Sequence, residues 1–365
     1  MLYNKAASTS HGASARSAHL PRQKIAVIGA GIAGLGAAYD LCHHHDVTIF
    51  EARKRLGGHA RTLIAGRDAQ LAVDTGFMVF NYLNYPHLNQ LFEDLKIPVK
   101  KSNMSFAVSL DDGKFEYGLH QPSRIFAQRK NLANPRFYKM LLDIFKFNKH
   151  GLAYLDNPQA TLEEALDEIG VSRMFRERYI GPLAGAIWSM TVDEMMGFPI
   201  QTLVKFFDSH RLNSVNDHPT WYTIDGGSSV YVERMVSALK AQGCTIKEAT
   251  PIASVTRAKT KSTVTAKDGE SGEFDHVIFA CHSDQALKIL AAPTPLENDV
   301  LGAIRFKKNQ VILHDDPAQM PKRKGCWSSW VYKGNTDTTQ TNATTYWMNF
   351  RQKRLMTAKT LHGGD

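Results

Sequence analysis

Three glycines and one carboxylate carry the clearest chemistry in the sequence. Gly29, Gly31 and Gly34 stand in G-x-G-x-x-G spacing directly after the apolar run 25–28, and Glu51 follows 22 residues after Gly29. In that spacing the first glycine permits a tight turn and the second lets backbone N–H groups approach a pyrophosphate. The third lets the next helix pack closely on the strand. The phosphates then meet the positive end of that helix, with Ala30 and Ala33 in the same turn. A carboxylate at Glu51 accepts hydrogen bonds from ribose hydroxyls and repels a phosphorylated ribose. The spacing alone also occurs in flexible loops, so context decides. Here an Ala-rich segment running to His43 and a strand-like VTIF ending at Phe50 separate the turn from Glu51, which is the order a dinucleotide site requires.

The residues past Glu51 say which dinucleotide. Glu51-Ala52-Arg53-Lys54-Arg55-Leu56-Gly57-Gly58-His59 adds a glycine pair and several cations beside the same phosphate region. This run resembles the E-A-x-x-R-x-G-G motif of the flavin amine oxidase superfamily, which also includes protoporphyrinogen oxidase and the carotenoid desaturases. Val73-Asp74-Thr75-Gly76-Phe77 with Val79-Phe80-Asn81, Ala186-Ile187-Trp188-Ser189, and the Trp221 to Ser228 element are similar to one branch, bacterial proteins described as predicted NAD/FAD-binding or flavin-containing amine oxidoreductases. The resemblance implies FAD. It places Gly29, Ala30, Gly31, Ala33, Gly34, Glu51, Ala52, Arg53, Gly57, Gly58 and His59 along the adenosine and pyrophosphate, Thr75, Gly76, Phe77 and Met78 near the flavin ring, and Ile252 beside the adenine. It names no catalytic residue, since flavin performs hydride chemistry itself. Trp188 lines a substrate cavity or fills the core, and both readings stay open.

Other clusters carry less. Cys281, His282 and Asp284 suggest a nucleophile, yet catalytic partners converge in space rather than along the chain, and no nucleophile-elbow pattern surrounds them. The same stretch matches the family's strand end, where the chain leaves the FAD sheet. His43, His44 and His45 cannot all face one ion, and Cys42, Cys244, Cys281 and Cys326 form no CxxC pair, so no metal site and no disulfide framework is expected. A reducing, cytoplasmic setting fits the scattered thiols.

The elements that must position these residues follow from periodicity. The fold class expected is α/β: a Rossmann-type FAD-binding domain of the amine-oxidase kind over 24–76 and 225–300, interleaved with an α+β substrate domain over 77–224 and 301–365 whose sheet is mostly antiparallel. Residues 1–23 lack Asp and Glu and are rich in Ser and Ala. They read as a disordered extension, a composition that mitochondrial transit peptides share. Asp111-Asp112-Gly113 between two β-rich runs marks a hairpin, and Thr161 to Glu164 with Gly170 marks a capped helix. A helix over 135–149 carries an apolar stripe of Phe137, Met140, Leu141, Ile144 and Phe145.

The composition, 43% hydrophobic and 22% charged, is that of folded globular proteins, and no apolar run reaches the length of a membrane span. Between Arg124 and Lys149 seven cations face one acid, Asp143, which supplies two thirds of the net charge of +9. No nucleic-acid partner is expected; the basic helix reads either as a core-facing helix with a solvated basic rim, the commoner arrangement, or as a peripheral contact with an anionic membrane. The leading expectation is an FAD-dependent oxidoreductase that removes hydride from a C–N or C–C bond of an apolar substrate. The branch looks like a companion of cyclopropane-fatty-acid-synthase-like methyltransferases, which implies a fatty acyl or phospholipid substrate. Competing readings are an amine oxidase acting on a small amine, an NAD-dependent dehydrogenase, and an FAD- or NAD-binding protein without turnover. The last is prompted by the family's C-terminal G-x-H-E-D-G element, which does not occur here and makes the chain read as a truncated product.

Overall fold

The run Ile25 to Ile28 does not alternate with polar residues, as expected of a strand covered on both faces. In the computed structural model, which describes residues 21–66, 71–119, 121–214, 217–337, 342–348 and the backbone of 357–362, it forms the strand Lys24–Ile28. Parallel neighbours flank it on both sides, Asp46–Phe50 on one and His276–Phe279 on the other, and Thr245–Lys247 completes a four-stranded sheet. Successive side chains point to opposite faces. Ile25 and Val27 pack with Leu35 and Ala38 of the helix Ile32–Leu41 and with Tyr231, Met235 and Leu239 of the helix Ser229–Ala241. Ala26 and Ile28 face the other way, against Phe50, Ile252, Val255, Val264 and Phe274. The last four belong to an antiparallel sheet of Ile252–Arg257, Ser262–Ala266 and Ser271–Phe274.

Three boundaries differ from the sequence reading. The β-rich run 274–280, FDHVIFA, which reads as one strand, is two strands in two sheets, divided at Asp275, whose N–H donates to the Lys24 carbonyl and whose carboxylate accepts from the Lys24 N–H. The cofactor-binding unit also extends past residue 77. Phe80, Phe92, Ile97 and Ile224 share one core with Ile25 and Val27, so 80–101 packs with that unit and not with the substrate domain. Arg22 and Gln23, assigned above to the extension, are tied to the sheet: the Arg22 guanidinium pairs with Asp46 and the Gln23 carbonyl accepts from the Asp46 N–H. The rest of the extension, up to residue 20, lies outside the described residues, as do 67–70 and most of the chain after 348.

The second unit is a six-stranded sheet in the order Gln310–His314, Thr357–His362, Asn342–Trp347, Trp330–Gly334, Phe106–Leu110, Phe115–Gly118. All its pairings are antiparallel except that of Trp330–Gly334 with Phe106–Leu110. The hairpin at 111–113 turns as its sequence suggests, with left-handed φ at Asp111, Asp112 and Gly113. Helices cover one face, among them Pro135–His150, Leu162–Ile169, Gly181–Trp188 and Ile200–Ser209. Their core joins Phe115, Tyr117, Phe137, Phe147, Leu166, Phe175 and Phe207. Leu162–Ile169 starts on the Thr161/Glu164 capping box and stops at left-handed Gly170.

Candidate cofactor and active site

The helix Ile32–Leu41 begins at Gly31 with no side chain capping its first turn and no acidic residue within it. Its leading N–H groups are therefore free to take an anion. Ile32 and Ala33 are exposed at this end, an apolar edge that a bound ligand would cover. A Cβ at Gly34 would overlap the Gly29 carbonyl, so that position seats the helix on the strand. A Cβ at Gly31 would meet nothing nearer than the Gly58 Cα at 3.9 Å, so the fold itself makes no steric demand at Gly31, whereas a Cβ at Gly58 would press on the Gly31 Cα at 2.9 Å. Glu51 closes the turn: its carboxylate accepts from the Ala30 N–H at 2.9 Å and the Arg53 N–H at 3.0 Å. The backbone of 249–250 donates to the Arg53 and Glu51 carbonyls and lies alongside. Arg55 holds the glycine pair by donating to the carbonyls of Leu56, Gly58 and Ala60.

A buried carboxylate joins three motifs that the sequence presents separately. Asp74 Oδ1 accepts from the Thr62 hydroxyl at 2.6 Å, the Ser228 N–H at 2.8 Å and the Ser228 hydroxyl at 2.6 Å. The end of the second glycine motif, the V-D-T-G turn and the G-G-S element thus share one acceptor. Burial pushes the Asp74 carboxyl above its ordinary value, while the Ser228 and Thr62 hydrogen bonds pull it back. Just beyond, a Cβ at Gly76 would overlap the His59 carbonyl, and that carbonyl accepts from the Phe77 N–H at 2.9 Å.

This close pass opens a cavity of about 320 Å³ lined by His59, Thr75, Gly76, Met78, Ser189, Lys307, Asn309, Val311 and Tyr346. Lys307 pairs with Glu194. The His59 ring stacks on His282 at 5.8 Å, and His282 stacks on Phe306 at 4.0 Å. Ser189 projects from a left-handed residue that ends the helix Gly181–Trp188.

The flavin-containing amine oxidoreductase family matches residues 32–309, well over half of the chain. The chain belongs to that family. A search of curated proteins finds no match. Among solved structures, a fatty acid isomerase from P. acnes that produces CLA is similar at a TM-score of 0.65 and 16% identity, with 94% of this chain and 77% of that chain covered. Cyclohexylamine oxidase from Brevibacterium oxydans IH-35A is similar at 0.66 and 16%, with 94% and 76% covered. A putrescine oxidase bound to putrescine is similar at 0.61 and 15%, with 93% and 75% covered. At such identities the likeness is one of fold.

As a flavin-containing amine oxidoreductase the protein is an FAD-dependent oxidoreductase, and its residues fit that cofactor. Gly29, Ala30, Gly31, Ala33, Gly34, Glu51, Ala52, Arg53, Gly57 and Gly58 would hold the adenosine and pyrophosphate around the uncapped helix end. His59, Thr75, Gly76 and Met78 would meet the ring, since they line the cavity. Phe77 instead turns into the cofactor-unit core, edge-on to Tyr231 at 6.2 Å. The Ile252 side chain is buried with Ala26, Ile28 and Phe50, so its strand, and not its side chain, lies beside Glu51. Trp188 packs on Phe198 and Phe206 at 5.0 and 5.1 Å, which is the core-filling reading. Cys281 is no activated nucleophile: burial pushes its thiol up, away from the thiolate.

The sequence reading did not find Ser189, Lys307, Asn309, Val311 or Tyr346 as cavity residues. Ser189 ends the Ala186 to Ser189 match, which gives no sign of a cavity, and the others come from two further segments and form no motif. His282 was in view, but as part of a nucleophile pattern, and only the stack with His59 shows its place.

Proposed function

We propose that this flavin-containing amine oxidoreductase removes hydride from a C–N or C–C bond of an apolar substrate, and that the substrate is a fatty acyl chain or a phospholipid. The lining of the cavity carries this reading. None of the described residues that line it is acidic, its one lysine is held by Glu194, and Met78, Val311 and Tyr346 give it apolar walls. A protonated amine would find no unpaired carboxylate among the described lining residues, whereas a hydrocarbon segment can rest on the apolar walls.

Bound FAD supplies the hydride acceptor. The chain's own residues bind and orient. Gly76 brings the backbone against His59 without a side chain between them, and Asp74 fixes that turn through Thr62 and Ser228. Glu194 holds the Lys307 charge, and Met78, Val311 and Tyr346 give the substrate an apolar surface to rest on. The test is anaerobic mixing of the FAD-loaded protein with fatty acids, phospholipids and small amines. Acyl substrates are expected to bleach the oxidised flavin band, and bleaching by amines alone would overturn the reading.

A further inference from the structure

The helix Pro135–His150 buries Phe137, Met140, Asp143 and Phe147 against the substrate-domain core. Its opposite side is unusual for a protein surface. Tyr138, Leu142 and Phe145 are exposed at 41%, 67% and 58%, and their spacing puts them on one face with Lys149. Leu132, at 52%, continues the apolar strip before the helix starts. Lys139 and Lys146 border the strip. A contiguous apolar strip bordered by cations marks a surface that something covers.

A second, separate observation says what. At the start of the same helix lies a cavity of about 800 Å³ walled by Arg136, Lys139, Arg173 and Arg178, with Glu177 the one acid among its described lining residues. Glu177 pairs with Arg173, and Lys139 pairs with the buried Asp143 at 3.3 Å. The Arg178 guanidinium is partly buried and lies 4.7 Å over the Phe115 ring. Neither it nor Arg136 has a carboxylate within ion-pair distance among the described residues; Asp111 feels the Arg178 charge only at longer range. Two uncompensated guanidinium groups aimed at one cavity suit a phosphate.

We propose that this face docks on an anionic phospholipid membrane, with the cavity taking one headgroup phosphate and Tyr138, Leu142 and Phe145 entering the acyl boundary. Among the described residues no helix is long and apolar enough to cross a membrane, so the contact is peripheral. Lys146 and Lys149 lie at headgroup level and neutralise neighbouring lipids, while Lys139 stays with Asp143. The inference stands apart from the substrate reading, because a protein can dock on lipid and oxidise another compound.

Sedimentation with phosphatidylcholine vesicles, with and without phosphatidylglycerol, tests it on the FAD-loaded protein. The protein is expected to pellet with the anionic vesicles, less so at raised salt, and to stay in solution with the neutral ones. Leu142→Ser with Phe145→Ser should weaken the partition at least tenfold without changing flavin content or thermal midpoint, since both side chains are exposed. Arg136→Gln should weaken it several-fold and flatten the salt dependence. Wild-type protein that stays in solution with anionic vesicles overturns the proposal, as does a double variant that pellets like wild type. A thermal shift with inorganic phosphate and no pelleting assigns the cavity to a free anion, and also overturns it.

Discussion

Gly31 and Gly34 stand three residues apart in one motif, yet they do different physical work. Gly34 has the Gly29 carbonyl against it, so Gly34→Ala must push backbone aside and is expected to destabilise the fold by about 2 to 4 kcal/mol, read by urea denaturation. Gly31 has room, so Gly31→Ala is expected to keep the wild-type unfolding midpoint in the FAD-free state and to lose flavin, measured by the absorbance that survives gel filtration. Equal effects of the two substitutions would show that Gly31 serves packing alone. Asp74 adds a pH dependence. Its folded carboxyl is raised by burial, so the folded chain holds that proton more tightly than the unfolded one. The stability it contributes is complete below the unfolded value and is lost as pH rises through the folded value. Asp74→Asn keeps an oxygen for Thr62 and Ser228, so its unfolding free energy should fall less than wild type's across that rise; parallel slopes would contradict the assignment. The glycines and Glu51 are legible in sequence because backbone clearance and ribose recognition leave few residue choices at those positions. Lys307, Val311 and Tyr346 are not, because a cavity wall asks only for shape and polarity, which many sequences supply.

Elements were legible where their ends carry chemistry. The capping box at Thr161, the stop at Gly170 and the turn at Asp111 to Gly113 appear where the residues place them. The helix Gly181–Trp188 has no such mark: Ile180 opens it without a capping side chain, and it continues a π-helical turn over Arg176–Ile180. The stripe expected on the basic helix is displaced as well. Phe145 is exposed, and Asp143 takes a place among the buried residues. That acid has a task. Its carboxylate accepts from the Ser172 N–H at 2.8 Å and from Lys139, joining the basic helix to the short helix after 172. Asp143→Ala leaves the Ser172 N–H without its acceptor and is expected to cost about 1 to 3 kcal/mol of stability, checked by chemical denaturation. Asp143→Asn, which retains an acceptor, should recover part of that loss.

The whole molecule is two packing units joined by a chain that passes between them several times, and FAD would bind where the Gly76 turn meets both. Ligand that binds only the folded state stabilises it by about 2.7 kcal/mol at a hundredfold excess over Kd, which for a chain of this size raises the midpoint by roughly 3 to 4 °C. That shift is expected for wild type in differential scanning and not for Gly31→Ala. The return of the chain at 225–228 is legible in the sequence, and there Ser228 meets Asp74, but the packing of 80–101 with the central strand is not. Its apolar residues choose between two cores, and sequence alone gives no reason to prefer one. The central strand carries a consequence for how the chain is made. Lys24–Ile28 pairs on one side with His276–Phe279, residue 25 facing residue 276. At ribosomal rates of about 5 to 20 residues per second, its partner follows after roughly 10 to 50 s. Throughout that interval a nascent, apolar strand edge waits unpaired, so the newborn chain offers a template for pairing with other chains that the finished fold has closed.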